Sequence, residues 1–289
     1  MKVVFLGTPE AAVPTLEALV AAGHDVALVI TRPDRRRGRG SAMMPSPVKA
    51  AAERLGLAVA HSVRDLDDVT AELGIVVAYG AMIPSAVLER LPMLNVHFSL
   101  LPRWRGAAPV ERAILAGDNE TGVGIMGLEV TLDTGPLFAE ARTPIDRKSA
   151  AALTAELAAM GAELLVTTLA TPDWTSRSTP QTGEATYAEK LSPATFRLDV
   201  AHSAQEADRI VRLGRAWCEV AGKRFRVLAA SPSSSPASPG VITKVADDIV
   251  MGCADGGLAL HMVQPEGGRP MSASSWWQGA RAFDGTTWS

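Results

Sequence analysis

Short apolar runs with no charge on either face recur through the first hundred residues, separated by stretches whose apolar residues fall at helical spacing. Val3 to Leu6, Val26 to Thr31 and Ile75 to Tyr79 read as strands covered on both sides. Between the first two, Ala11 to Ala22 reads as a helix, with Leu16, Leu19 and Val20 on one side and Gly23 as its stop. Strands buried on both faces belong in a parallel sheet, because crossover helices are what cover both faces. This alternation confines the first half of the chain to an α/β fold of Rossmann-like rhythm. Helices are also predicted over Pro47 to Gly56, Pro84 to Arg90, Val110 to Ala116 and Ala150 to Leu169. Ala58 to His61, Thr121 to Leu128 and Thr131 to Leu132 read as extended. The first strand-to-helix turn holds a single glycine, Gly7, so the spaced-glycine dinucleotide fingerprint is missing and NAD or FAD is not expected.

The second half has a different rhythm. Residues 171–199 break the pattern with Pro172, Pro180, Gly183 and several Ser and Thr, and read as a linker. It divides the 289 residues into an α/β domain, 1–170, and a smaller domain, 200–289. Beyond a helix over Ser203 to Leu213, short strands are predicted at Glu219 to Val220, Arg224 to Ala229, Val241 to Val245, Ile249 to Cys253 and Leu258 to Val263. Ala254-Asp255-Gly256-Gly257 serves as a hairpin signal. Strands this short and this closely spaced suggest a small β-barrel. Ser231 to Pro239, SPSSSPASP, reads as a low-complexity surface loop within it.

Charge and cysteine content narrow the function classes. A net charge of −3 gives no global attraction to nucleic acid, so any RNA must be met through local basic patches. Arg32 to Pro47 supplies one such patch. Its five arginines, two glycines and three prolines suit either a solvated loop or an arm that meets phosphates. From Val200 onward nine Lys and Arg face eight Asp and Glu, so the barrel is nearly neutral. The two cysteines, Cys218 and Cys253, have no metal-ligand or redox spacing and read as free thiols. No stretch approaches the ~18 apolar residues of a membrane span, and the opening MKVVFLGTPE is too short for a secretory core. The expectation is a cytoplasmic protein.

Three polar residues stand out against this frame: Asn95, His97 and Asp133. In a strand running into Asn95-Val96-His97, alternate side chains share a face, so Asn95 and His97 point together while Val96 packs behind. The Ser/Pro/Arg/Gly loop that follows places both at a strand's carboxyl edge, where open α/β sheets keep their ligand crevices. A histidine can move a proton near neutral pH, and an amide can donate to an oxyanion. A carboxylate can hold the ring. The set suits transfer of an acyl or formyl group to an amine, and no G-x-S-x-G elbow supports Ser99 as a nucleophile. Each residue also has a plainer reading: a structural histidine, a turn-forming asparagine, and a D-T-G that is only a turn, with Gly135 taking its positive φ.

Asn95 to Pro109, NVHFSLLPRWRGAAP, resembles the signature of the folate-dependent formyltransferases, and among them the methionyl-tRNA formyltransferases. FLGTPE (5–10), VVAYG (76–80), ETGV (120–123), LDTGP (132–136), TYAEKL (186–191) and RPMSA (269–273) match in the same order. The resemblance implies a Rossmann-like formyltransferase domain followed by an OB-like barrel that binds tRNA. It implies Asn95, His97 and Asp133 as catalytic residues and no metal. The formyl donor would be 10-formyltetrahydrofolate, against Val77, Ala78, Tyr79 and Gly80 and against Ser99, Leu100, Leu101 and Pro102. The acceptor would be the α-amine of methionyl initiator tRNA, met by Arg39 with Arg35, Arg36 and Arg37 beside it, and the protein would be a monomer. Phe98 departs from the glycine that many members carry there. Two alternatives are a formyltransferase acting on another amine, such as that of an amino sugar, and a catalytically idle tRNA- or folate-binding homologue.

Overall fold

A computed structural model describes residues 1–36, 43–279 and 285–289. The chain divides into two compact units. The first comprises Met1–Val110, Asn119–Pro144 and Leu153–Glu189, and the second Glu111–Asp118, Ile145–Ala152 and Lys190–Ser289.

The first unit is built on a seven-stranded sheet. Its strands are β1 (Lys2–Gly7) and β2 (Asp25–Ile30), with helix α1 (Val13–Ala21) between them. A two-residue ribbon follows, β3 (Arg35–Arg36) against β4 (Met43–Met44), then α2 (Pro47–Arg54), β5 (Val59–Ala60), β6 (Leu73–Val77), α3 (Ser85–Arg90) and β7 (Met93–His97). After the short β8 (Arg105–Gly106) and α4 (Pro109–Ala116), most of which is counted with the second unit, come β9 (Glu120–Gly127), β10 (Leu137–Pro144), α5 (Ala150–Ala170) and the short β11 (Tyr187–Ala188). The order β10-β9-β7-β6-β1-β2-β5 is parallel from β7 to β5 and antiparallel where β9 joins β7 and β10 joins β9. The sheet is therefore mostly parallel, as the uninterrupted apolar strands require. Val3, Val4, Phe5, Leu6, Ile75 and Val77 are all fully or almost fully buried. Ser46 caps α2, its Oγ accepting from Lys49 N at 3.0 Å and lying 2.7 Å from Thr31 Oγ1.

Several expectations change here. Thr131 and Leu132 form a bend and turn instead of a strand, and the extended segment lies further on, as β10. Within the arginine-rich segment, Arg35 and Arg36 pair across the ribbon with Met44 and Met43. Helix α5 is long and apolar enough to cross a membrane by length and composition, against the expectation that no stretch comes near one. One face of it lies in the core. Leu153, Leu157, Ala158 and Leu165 are buried, and Gly161 lies so close to the sheet that a Cβ there would meet Val96 Cγ1 at 2.6 Å.

The second unit carries α6 (Ala204–Arg212) and an antiparallel sheet of β12 (Trp217–Val220), β13 (Lys223–Ser233), β14 (Val241–Val245), β15 (Asp248–Cys253), β16 (Gly256–Pro265), β17 (Met271–Ser272) and β18 (Thr286–Thr287), with α7 (Ala273–Gly279) before the last strand. A capping box starts α6. Ser203 Oγ accepts from Glu206 N at 3.1 Å, and Glu206 Oε2 accepts from Ser203 N at 2.8 Å. The last residues turn the sheet back on itself, Thr286–Thr287 pairing with β14 and Trp288 bridging Val220 of β12. The result is a nearly closed barrel around Phe225, Val227, Ile242, Met251, Leu258, Val263 and Trp276. Ser231, Pro232 and Ser233, expected in a loop, extend β13. The rest of that loop lies over Gly252 and Gly257, where any Cβ would meet the backbone oxygens of Ser238 and Ser235.

Both cysteines sit in this core, Cys218 fully buried and Cys253 nearly so. Burial disfavours the charged thiolate, pushing Cys218 up to about 12 and Cys253 to about 11. At pH 8 both stay protonated and shielded. Native protein should release no colour from a thiol-disulfide reagent, and two equivalents once denatured.

Candidate functional site

The site grows from the carboxyl end of β7, inside the first unit. Val96 is turned toward α5, so Asn95 and His97 share the other face of the strand. Phe98 has the parity of Val96 and lies near Gly161, which places its ring on the helix side of the sheet and away from His97. A pleated strand thus separates the packing residues from the polar ones.

His97 is 5% exposed, and its surroundings decide its tautomer. Nε2 lies 3.0 Å from the carbonyl oxygen of Trp104, which can only accept, so Nε2 carries a proton. Nδ1 is then the ring atom free to take up another. It faces Asp133 Oδ2 at 3.8 Å, a charge contact too long for a direct hydrogen bond. Asp133 is itself 7% exposed and accepts from Gly106 N at 2.7 Å, which fixes its carboxylate in place. Asn95 is half-buried, and its amide has no protein partner among the described residues.

The D-T-G turn is built otherwise than expected. The residue at positive φ is Asp133, at 52°. Gly135 is required for another reason: a Cβ there would run into the carbonyl of Gly127 at the end of β9. Glycines of β9 make similar room elsewhere. Leu100 packs so closely on Gly122 that no side chain fits, and the carbonyl of Ser99 passes near Gly124.

The remaining sequence-predicted residues divide by what they present. Ser99 is fully buried and its Oγ donates to Arg103 O at 2.6 Å, so it braces the loop. Leu101 is buried, while Leu100 and Pro102 are half-exposed along the same loop. Val77 ends β6 with its side chain in the core, and Tyr79 packs among Val4, Leu6, Ile30 and Leu91. Burial raises the Tyr79 phenol above its ordinary pKa. What the Ala78-Tyr79-Gly80 turn offers outward is backbone, with Ala78 and Gly80 exposed at φ of 45° and 77°. Arg35 and Arg36 are exposed on the ribbon, and Arg37 and Arg39 lie outside the described residues. Among the described residues no group of three or more His, Cys, Asp or Glu is placed to hold a metal ion.

Sequence reasoning missed a strap formed by residues 179–188. Thr179 exchanges two backbone hydrogen bonds with Leu137, both 2.8 Å. Tyr187–Ala188 pairs with Arg105–Gly106, and Thr186 Oγ1 accepts from Trp104 N at 2.9 Å. Gln181 donates to the carbonyls of Asp133 and Gly135 at 2.9 and 2.8 Å, while its oxygen accepts from Arg105 Nε and Nη2 at 3.1 and 2.6 Å. Expected as linker, this stretch belongs to the first unit. Its contacts divide between backbone hydrogen bonds and a few isolated polar side chains, which leaves no periodic pattern to read.

A second feature lies on the barrel unit. Trp217 is flanked by two guanidinium groups, Arg224 at 4.3 Å and Arg197 at 5.6 Å from its ring centroid, and Arg215 covers Phe196 at 4.4 Å. Arg226 stands opposite Trp217 across the β12–β13 pair, and all four arginines are exposed. Glu219 shares this face. The barrel's near-neutral total therefore hides a local basic and aromatic patch.

Comparison with known proteins follows the same division of the chain. The formyl transferase family model matches residues 1–169, and that of the formyl transferase C-terminal domain matches residues 190–281. The methionyl-tRNA formyltransferase of Novosphingobium aromaticivorans is 46% identical, over 99% of this chain and 99% of its own length. That of Rhizorhabdus wittichii is also 46% identical, over 99% of this chain and 97% of its own. Among solved structures, an N-formyltransferase from Helicobacter canadensis, in complex with folinic acid and dTDP-3-aminofucose, has a TM-score of 0.68 at 14% identity, covering 90% of this chain and 98% of its own. HypX from Aquifex aeolicus, in complex with tetrahydrofolic acid, has a TM-score of 0.66 at 16% identity. The match covers 96% of this chain but 47% of HypX, so the chain spans about half of that protein. At these identities the structural likeness speaks to the fold alone.

Proposed function

This chain belongs to the formyl transferase family, in its methionyl-tRNA branch, and we propose that Asn95, His97 and Asp133 are the groups with which it works. It transfers the formyl group of 10-formyltetrahydrofolate to the α-amine of methionyl initiator tRNA, giving N-formylmethionyl-tRNA for translation initiation. The observation that carries this is 46% identity sustained over 99% of the chain, both units included. The buried His97–Asp133 pair beside an unpartnered Asn95 amide supports the chemistry. An amino sugar as acceptor is the weaker reading, because the likeness to the Helicobacter canadensis enzyme is 14% in sequence. An aminoacyl-tRNA acceptor places the work in the cytoplasm.

The residues present fit a folate donor. Asn95 offers an amide with no internal partner, and the Ala78–Gly80 turn offers exposed backbone for a polar ring to meet. The Ser99–Pro102 loop, braced by Ser99 on Arg103, forms the apolar side. When bound, the donor supplies a formyl group on a nitrogen able to leave. Asn95 then donates through its amide to the formyl oxygen as charge develops there, a contact strongest in the transition state. His97, held by Trp104 through Nε2, offers Nδ1 for a proton, and a proton taken there meets the Asp133 carboxylate. Asp133, tied to Gly106 N, is placed to pass the amine's proton on.

The RNA is gripped on arginines: the exposed Arg35 and Arg36 of the ribbon, with Arg37 and Arg39 following them in sequence, and the exposed Arg197, Arg215 and Arg224 around Trp217 and Phe196 on the barrel. Guanidinium groups stacked on aromatic rings are held ready for phosphate oxygens. Reversing two charges, Arg197→Glu with Arg224→Glu, should raise KM for methionyl-tRNA about tenfold or more at low salt. It should also flatten the salt dependence by about one unit of slope per lost contact, with kcat unchanged. An unchanged salt slope would remove the barrel patch from the RNA interface.

A formylation assay tests the function directly. Protein, 10-formyltetrahydrofolate and methionyl initiator tRNA should yield formyl-methionyl product, and methionyl elongator tRNA little. Product on a sugar nucleotide amine and none on tRNA would overturn the assignment.

A further inference from the structure

Gln181 lies on the strap, outside the strands and loops that carry the three reactive side chains. Its amide nonetheless links the two ends of the Asp133 turn to the loop after His97. On one side its nitrogen donates both protons, to Asp133 O at 2.9 Å and Gly135 O at 2.8 Å. On the other its oxygen accepts twice from the Arg105 guanidinium, at 3.1 and 2.6 Å. Two carbonyls can only accept and a guanidinium can only donate, so the orientation of the amide is fixed by its partners. A carboxylate would oppose both carbonyls, and a hydrocarbon of the same shape would satisfy none of the four contacts.

The turn it holds has reason to need holding. Asp133 sits at φ 52°, a conformation disfavoured for a residue with a Cβ, and Gly135 is pressed against the Gly127 carbonyl. Arg105 neighbours Gly106, whose N–H fixes the Asp133 carboxylate at 2.7 Å. Gln181 therefore grips both the backbone of Asp133 and the residue beside that carboxylate's hydrogen-bond donor. It closes a ring: Asp133 carboxylate to Gly106 N–H, through Arg105 to Gln181, and back to the Asp133 carbonyl.

We infer that Gln181 is a positioning residue for formyl transfer, acting through Asp133 by fixing the carboxylate against His97 Nδ1 without touching either substrate. This rests on the reading of Asp133 as a reacting group. The consequence is kinetic. A carboxylate free to drift by about an ångström loses on the order of a hundredfold in rate at the extreme, while the substrate-binding surfaces stay as they were.

The test is a double-mutant cycle of Gln181→Met, which removes all four contacts at similar volume, with Asp133→Asn. Gln181→Glu is the companion, keeping the acceptor for Arg105 and losing the donors to the carbonyls. Formylation kinetics and thermal melting are read for each. The expected result is a kcat about tenfold or more lower in both Gln181 variants, with KM for donor and methionyl-tRNA within about twofold. In the Asp133→Asn background, Gln181→Met should cost nothing further, because the group it positions is gone. An equal fractional loss in both backgrounds, or a rise in KM at unchanged kcat, overturns the inference and leaves Gln181 as a packing residue. A crippled Asp133→Asn beside a fully active Gln181→Met overturns it while sparing the reading of Asp133. A fully active Asp133→Asn overturns both.

Discussion

His97→Ala should lower kcat for formyl transfer by about a thousandfold or more while the protein remains folded. A positioned acid or base contributes about 10²–10⁴ in rate, and His97 also lies opposite the Asp133 carboxylate, so its loss strands a second group. The structural cost is smaller. Removing the ring takes away one hydrogen bond, the one to the Trp104 carbonyl, worth about 0.5–1.5 kcal/mol. Donor binding should survive, because the exposed turn at Ala78–Gly80 and the Ser99–Pro102 loop do not depend on the imidazole. Steady-state formylation beside a thermal melt and a folate-binding titration separates the terms. Full activity in this variant would sink the proposed mechanism.

Gly135→Ala is expected to act almost as strongly without touching a reacting group. The backbone of Gly135 is not in the left-handed region, so alanine meets no local strain. Its methyl would instead overlap the Gly127 carbonyl, whose carbon lies 2.8 Å from the Cβ position. Gly127 cannot retreat freely, because its N–H donates to Pro136 O at 2.8 Å and ties the strand end to the same turn. The turn must move, carrying Asp133 away from Gly106 and His97. A displacement near 1 Å costs on the order of a hundredfold in kcat, with destabilisation of about 1–3 kcal/mol from overpacking. A variant whose melting point falls while kcat holds would mean that the strand yields and the carboxylate stays put.

What could be read in the chain, and what could not, follows from how each element is held. The inner strands announce themselves because both faces are apolar, as in Val3–Leu6, and the pairing of Asn95 with His97 follows from the two-residue period alone. Strand β10 hides because it is an edge: Leu137–Pro144, LFAEARTP, is half-exposed along most of its length, so no clean alternation survives. Helix α7, ASSWWQG, is too short for a period to show. The turn at Asp133 was found, but its positive φ was given to Gly135. Glycine can answer either to a torsion or to a neighbour's approach, and the sequence does not say which. The strap left no periodicity, because Pro180 and Gly183 are what a linker would also carry; only TYAEKL (186–191) marked its end, through the resemblance and without saying what it holds.

That strap bears on how such an enzyme can be taken apart and recombined. The family model for the first domain ends at residue 169, yet the loop after β7 is paired by Tyr187 and Ala188, and the Asp133 turn is gripped by Gln181. A gene fusion that spliced a foreign module onto residue 170 would carry Asn95, His97 and Asp133 and leave behind the segment that braces the Asp133 turn and the loop after β7. The workable junction lies beyond Glu189, where the first unit ends.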